Sequence, residues 1–134
     1  MGATATALLG FAAWYLVLTI ALGIFRSALV FSGQKAANSF KPDASDVSDF
    51  GRRLNRARDN CYETLPLFAA IALAASLANK LSVLDPLAMY LLYARVGQSI
   101  THLISTSIPA INVRFALFLA QMVIYAVWIV RLLA

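Results

Sequence analysis

The sequence predicts an all-α membrane protein, a four-transmembrane-helix bundle forming one integral-membrane domain over residues 1–134. Of its residues 61% are hydrophobic and only 13% are charged, far from the balance of a water-soluble domain. Four apolar segments can be drawn, at about Ala3–Phe31, Arg56–Asn79, Pro86–Ser107 and Asn112–Leu133. None alternates in polarity as a lipid-facing barrel strand does, and inside lipid only a helix satisfies the backbone of a single such segment.

The first segment lacks the basic start of a signal peptide and its apolar run is too long for one, so it reads as a mature first helix. Between Ser32 and Gly51, the residues Gly33, Asn38 and Pro42 and the run DASDVSDFG predict a connector. In the second segment the uncharged stretch Thr64–Asn79 holds 16 residues. A bilayer-spanning helix needs about 20 at about 1.5 Å each. The span therefore takes its first turns from the polar run RRLNRARDNCYETLPLF, which places Asn60 and Glu63 at the hydrocarbon boundary. An ionised side chain there is costly unless it faces protein and has a partner. Pro66 frees a backbone carbonyl and shapes the helix. The third segment carries Arg95, Gln98 and His102, with Ser105 and Thr106 a turn further on; the fourth opens near Asn112 and Arg114.

The net charge of +5 is mostly a topology signal. Seven of the 11 basic residues lie between Arg26 and Arg58, Arg95 and Arg114 bracket the third connection, and only Lys80 and Arg131 fall at the other side. The positive-inside rule then puts the first and third connections in the cytoplasm and both termini outside it. This arrangement suits a bacterial inner membrane, and an organelle membrane of the same orientation reads alike. The charge also attracts anionic lipids or substrates, and no nucleic-acid partner is needed to explain it.

On a helix, Arg53, Arg56, Asn60 and Glu63 follow spacings of three, four and three and share one face. Arg95, Gln98 and His102 form a second stripe, spaced three and four apart. Lipid offers such groups nothing, so both stripes must meet protein. Their plainer reading is a set of ion pairs locking helices together. Their functional reading is a polar cleft with guanidiniums for carboxylates, Asn60 and Gln98 for amides, and Glu63 for an amine, the handles of a small zwitterionic peptide. Arg114, an isolated arginine at a helix end, reads first as an interfacial anchor, and its functional reading is a guanidinium that lowers the pKa of a bound thiol. Cys61 is the single cysteine and His102 the single histidine, which excludes an intrachain disulfide and leaves no cluster with metal-ligand spacing. Cys61 reads as a packing residue.

Along these residues the chain resembles the MAPEG superfamily, membrane-associated proteins in eicosanoid and glutathione metabolism. The motif is Arg56-Ala57-x-x-Asn60-x-x-Glu63-x-x-Pro66, whose form here, NCYETLPLF, is similar to that of the leukotriene-synthase branch. Ala94-Arg95 and the later Arg114 are similar to the arrangement in microsomal glutathione transferase. The resemblance spans essentially the whole chain and implies a left-handed bundle assembled as a homotrimer, with glutathione as co-substrate between subunits near the cytoplasmic face. It implies that Arg53, Arg56, Asn60 and Glu63 of one subunit grip glutathione, with Arg95, Gln98 and His102 coming from the third helix of its neighbour. Arg58 stands where a glutamine or histidine is usual and is implied to reach the ligand. Arg114 matches the arginine that stabilises the thiolate. Gln98 and His102 replace the tyrosines that many members carry on the third helix.

The function so implied is a glutathione transferase, extending to peroxidase activity on lipid hydroperoxides, that takes an apolar electrophile from the bilayer and needs no metal. Two other readings stay open. One is a non-catalytic membrane protein of the same fold that binds lipid or glutathione. The other is a small proton-coupled exporter, against which Glu63 stands among arginines at a membrane edge instead of centrally.

Overall fold

Residues 2–33, 48–105 and 107–134 are described in the computed structural model. Uncharged up to Arg26 and free of proline, Ala3–Phe31 forms one continuous helix, α1, with the predicted bounds. Its first turn is closed from outside. Gly2 at the N-cap has no side chain to offer, and Asp85, far along the sequence, accepts from the Thr4 backbone N–H at 3.0 Å and from the Thr4 hydroxyl at 2.6 Å. At the other end Gly33 takes a φ of 79°, the left-handed conformation that commonly stops a helix.

The second helix, α2 (Asp49–Leu77), begins a full two turns before the expected start at Arg56. Ser48 caps it, its hydroxyl accepting from Gly51 N–H at 3.2 Å, and Asp49 places a negative charge at the positive end of the helix dipole. The polar run is thus helical throughout, and residues 34–47 of the expected connector lie outside the described residues. Pro66 is accommodated inside α2. The turn that follows is tight. Asn79 has a φ of 56°, its N–H donates to Ser76 O, and Lys80 N–H reaches Ala75 O at 2.8 Å, the paired closure of a Schellman motif.

That turn lets α3 (Leu81–Ile104) start ahead of Pro86, where the sequence suggested it would. Ser105 is extended and ends the helix, and Thr106 lies outside the described residues. Ser107 then caps α4 (Ile108–Leu133), whose first turn contains Pro109, a position where proline costs no hydrogen bond.

Helix α3 is central: it packs on α1, α2 and α4, α1 also packs on α2, and α1 and α4 are not neighbours. Helices α1, α2 and α4 are long and apolar enough to cross a membrane. Helix α3 lacks so long an apolar stretch, because Arg95, Gln98, Ser99 and His102 lie on it, and all four are buried among the other helices. Its 24 residues give about 36 Å at 1.5 Å per residue, enough for a hydrocarbon core of about 30 Å. In lipid there is little hydrophobic gain from helix association, so close packing has to supply it. Phe68 of α2 does much of this, meeting Phe11 of α1 edge-on at 5.9 Å and Trp128 of α4 at 5.6 Å. At Gly10, α1 approaches α3 so closely that a Cβ there would sit 2.8 Å from Leu92.

Candidate functional site

Six described side chains, Asp49, Arg52, Arg53, Arg56, His102 and Arg114, line a cleft of about 260 Å³ at the end of the bundle that carries the α1–α2 and α3–α4 connections. Three helices meet there. Helix α2 contributes its first two turns, where positions 49, 52, 53 and 56 fall on neighbouring rows of one face. The last turn of α3 contributes His102 and the first turns of α4 contribute Arg114.

Each group is held differently. Arg52 pairs with Asp49 one turn earlier on the same helix. Arg53 donates through Nε to Leu103 O at 3.1 Å, satisfying one of the carbonyls left open at the end of α3 and bringing a cation to the negative end of its dipole. Arg56 is exposed on the cleft rim and has no ion-pair partner among the described residues. Arg114 lies 2.5 Å through Nη1 from Nδ1 of His102, and the other ring nitrogen of His102 lies 2.7 Å from the side-chain amide of Asn60. His102 therefore ties α2, α3 and α4 together.

Of the residues singled out from sequence, the structure brings Arg53, Arg56, His102 and Arg114 into one cleft and sets Asn60 beside it. It places four elsewhere. Arg95 is 1% exposed in the core, its guanidinium 5.7 Å from the Phe11 ring centre, with Nε and Nη1 unpartnered among the described residues. Gln98 is also inside, accepting from Gln121 Nε2 at 2.8 Å and joining α3 to α4. Both lie inside the four-helix bundle of the single chain, because a polar stripe on the central helix finds its partners in the three helices around it. Arg58 points away from the cleft, donating to Asp59 at 3.0 Å and to Asn55 at 3.2 Å in a cluster that Arg26 of α1 also joins. Glu63 is exposed on the outer surface of α2 and forms no ion pair among the described residues. Cys61 is fully buried, 3.5 Å from the Ser99 hydroxyl.

Asp49 and Arg52 are site residues that the sequence reading missed. The signal was present: Ser48-Asp49 is a helix-start pattern, and carrying the spacing of the arginine stripe back one turn from Arg53 reaches Asp49.

A second, larger groove of about 390 Å³ runs between α1 and α2, lined by Leu8, Ala69, Ala72 and Leu73 among others. It is nearly all apolar and lies toward the opposite end of the bundle, near Thr4 and Leu81, so it shares no wall with the arginine cleft.

The cleft can attract and orient an anion with several oxygens, since four guanidiniums face one carboxylate. Residues 4–134 match the family model described as the MAPEG family, while no curated protein and no solved structure gives a match. With that match running from the first turn of α1 to the last residue, over a helical bundle with membrane-spanning helices, this chain belongs to the MAPEG family.

Proposed function

We propose that the protein is a membrane-bound glutathione transferase. The observation that carries this reading is the unneutralised charge in the cleft: Arg53, Arg56 and Arg114 have no carboxylate partner among the described residues, and Asp49 is already engaged by Arg52. A tripeptide with two carboxylates supplies the missing counter-charge. Arg53 and Arg56 take the carboxylates, Asn60 a peptide group, and Arg114, at the inner wall, faces the sulfur. A thiol with a reference pKa of about 8.5 ionises more readily beside a fixed guanidinium, and the thiolate is the form that attacks.

The reaction is then a transfer to carbon. The sulfur lone pair forms a C–S bond with an apolar electrophile arriving from the bilayer, and the leaving group departs with its electron pair, or the adduct takes a proton from water. With a lipid hydroperoxide the thiolate attacks the terminal oxygen, the O–O bond breaks and the lipid alkoxide leaves, taking a proton from water to become the alcohol. A second glutathione thiol then displaces water from the resulting sulfenic acid to give the disulfide. Remote carboxylate contacts hold the sulfur in place for either step.

In this reading the protein is a homotrimer in a bacterial inner membrane, with both termini outside the cytoplasm and the arginine cleft at the cytoplasmic face. Glu63 supports an assembly: a carboxylate on the outer surface of a membrane helix needs a partner, and a neighbouring copy or the ammonium of glutathione held between copies provides one. Arg95 and Gln98 act from behind the cleft by fixing α3. The exporter reading draws no support from Glu63, which is exposed on α2.

The test is to add glutathione to the purified protein in detergent at neutral pH and follow thiolate absorbance in the ultraviolet, with Arg114→Ala alongside. A thiolate signal in the wild type that is lost in the variant supports the transferase. Glutathione binding without thiolate favours a non-catalytic family member, and absence of binding removes the site assignment.

A further inference from the structure

His102 is the one histidine in the chain, and it is 7% exposed near the end of α3. Each of its ring nitrogens meets a different helix: Nδ1 is 2.5 Å from Arg114 Nη1 on α4, and Nε2 is 2.7 Å from Asn60 Nδ2 on α2, an amide whose nitrogen and oxygen exchange places by a half-turn of the side chain. The chemistry of the three groups leaves one arrangement of protons. A guanidinium has only N–H donors and stays charged in proteins, so Arg114 donates and Nδ1 must accept with its lone pair. An imidazole with a bare Nδ1 carries its proton on Nε2. Nε2 therefore donates, and Asn60 has to accept through Oδ1, not through its NH2. The Asn60 NH2 then turns away from the ring. Asn60 is half-buried and in contact with His102, which lines the cleft, so a ligand in the cleft comes within reach of these two N–H bonds.

We infer that His102 is a positioning residue, held as the neutral Nε2–H tautomer between Arg114 and Asn60, which presents Asn60 to the cleft as a hydrogen-bond donor. The chain of donors runs one way, from Arg114 through the ring to Asn60, and ends on the ligand. A carbonyl or carboxylate oxygen is selected at that point, and a donor group such as an ammonium is rejected. His102 itself has no free nitrogen and does not act as a base on the thiol. The ligand half of this inference rests on the glutathione reading, whereas the tautomer half rests on geometry alone.

A single histidine makes the test direct. Protein labelled with nitrogen-15 in histidine, carrying a purification tag without histidine, gives the spectrum of one imidazole. At neutral pH the wild type shows an unprotonated Nδ1 and a protonated Nε2. Asn60→Asp keeps the accepting oxygen, so it retains that spectrum while glutathione affinity falls about tenfold or more through loss of the amide donor. Arg114→Leu frees Nδ1 and gives an average of the two tautomers. His102→Gln, whose amide can accept from Arg114 and donate to Asn60, retains more affinity than His102→Leu. A protonated Nδ1 in the wild type overturns the inference, and so does an Asn60→Asp spectrum unlike the wild type. A wild-type tautomer as assigned, with unchanged affinity in Asn60→Asp, overturns the ligand half. Failure of the wild type to bind glutathione overturns the proposed function and the ligand half with it, while the tautomer stands or falls on its own spectrum.

Discussion

Asp85 on α3 accepts two hydrogen bonds from Thr4 on α1, one from the backbone N–H at 3.0 Å and one from the hydroxyl at 2.6 Å. A carboxylate from one helix thus serves as the N-terminal cap of another. It joins two helices that also pack along their length, and its charge sits at the positive end of the α1 dipole. Across the same end of the bundle, Lys80 reaches Leu132 O at 3.5 Å, placing a cation at the negative end of α4. Both contacts are made by side chains next to the α2–α3 turn.

Removing this cap is expected to loosen α1. Asp85→Ala leaves the Thr4 N–H and hydroxyl without their acceptor and should cost about 1–2 kcal/mol. Asp85→Asn keeps one accepting oxygen and loses only the charge, so its melting temperature in detergent should fall between those of Asp85→Ala and the wild type. Intrinsic fluorescence from Trp14 and Trp128 reports the transition. Equal melting temperatures for Asp85→Ala and the wild type would show that the cap is replaced by water.

The contact between Gly10 and Leu92 sets a size limit on α1. An added Cβ at Gly10 falls 2.8 Å from a Leu92 methyl, which can rotate away because it is the end of a side chain. Gly10→Ala therefore sets a rotamer cost of about 0.5–1.5 kcal/mol against a helix-propensity gain of about 1 kcal/mol, and should be nearly neutral. Gly10→Leu has no such escape and should lose about 1–3 kcal/mol through overpacking. In the double variant Gly10→Leu with Leu92→Ala, part of that loss should return, and a thermal-melting cycle of the four proteins measures the coupling.

The turn between α2 and α3 depends on one backbone conformation. Asn79 at φ 56° is in the left-handed region, which asparagine tolerates and a β-branched residue does not. Asn79→Gly should leave the melting temperature within a degree or two, and Asn79→Val should lower stability by about 1–2 kcal/mol. A valine variant as stable as the wild type would mean that the turn re-forms in another shape.

How far the sequence reaches can be seen at particular residues. The bounds of α1 were legible because apolar length and the absence of proline leave little choice. The start of α2 was not, because counting apolar residues passes over a polar helical turn; Ser48 and Asp49 mark it only when capping is read ahead of hydropathy. Pro86 looked like a helix start, yet the Schellman turn at Asn79 starts α3 earlier and leaves the proline inside. Spacing puts Arg53, Arg56, Asn60 and Glu63 on one face of α2, of which Arg53 and Arg56 line the cleft, Asn60 lies beside it and Glu63 is exposed. Spacing could not tell which neighbour each stripe would meet, and so Arg95 and Gln98 were read as facing a ligand when they face Phe11 and Gln121. That choice depends on where α3 sits among the helices, which is a tertiary fact.

Arg56 and Arg58 make the sharpest comparison for ligand binding, since they are two residues apart, equal in charge and on different faces of α2. Arg56 lines the cleft with no ion-pair partner among the described residues, while Arg58 is engaged by Asp59 and Asn55. Replacing either with glutamine removes one positive charge from the same end of the bundle, so any general attraction of an anionic ligand weakens by a similar amount in both. The difference between them isolates direct contact. A charge-assisted hydrogen bond contributes about 1.5–3 kcal/mol, which corresponds to roughly 10- to 150-fold in affinity. Arg56→Gln should therefore weaken glutathione binding by at least about tenfold relative to Arg58→Gln, measured by calorimetry in one detergent at one ionic strength. Equal losses would mean that the arginine-rich end attracts glutathione without gripping it through Arg56. A larger loss in Arg58→Gln would move the site to the Arg26–Asn55–Asp59 side of α2, where the family resemblance alone had allowed Arg58 to take part.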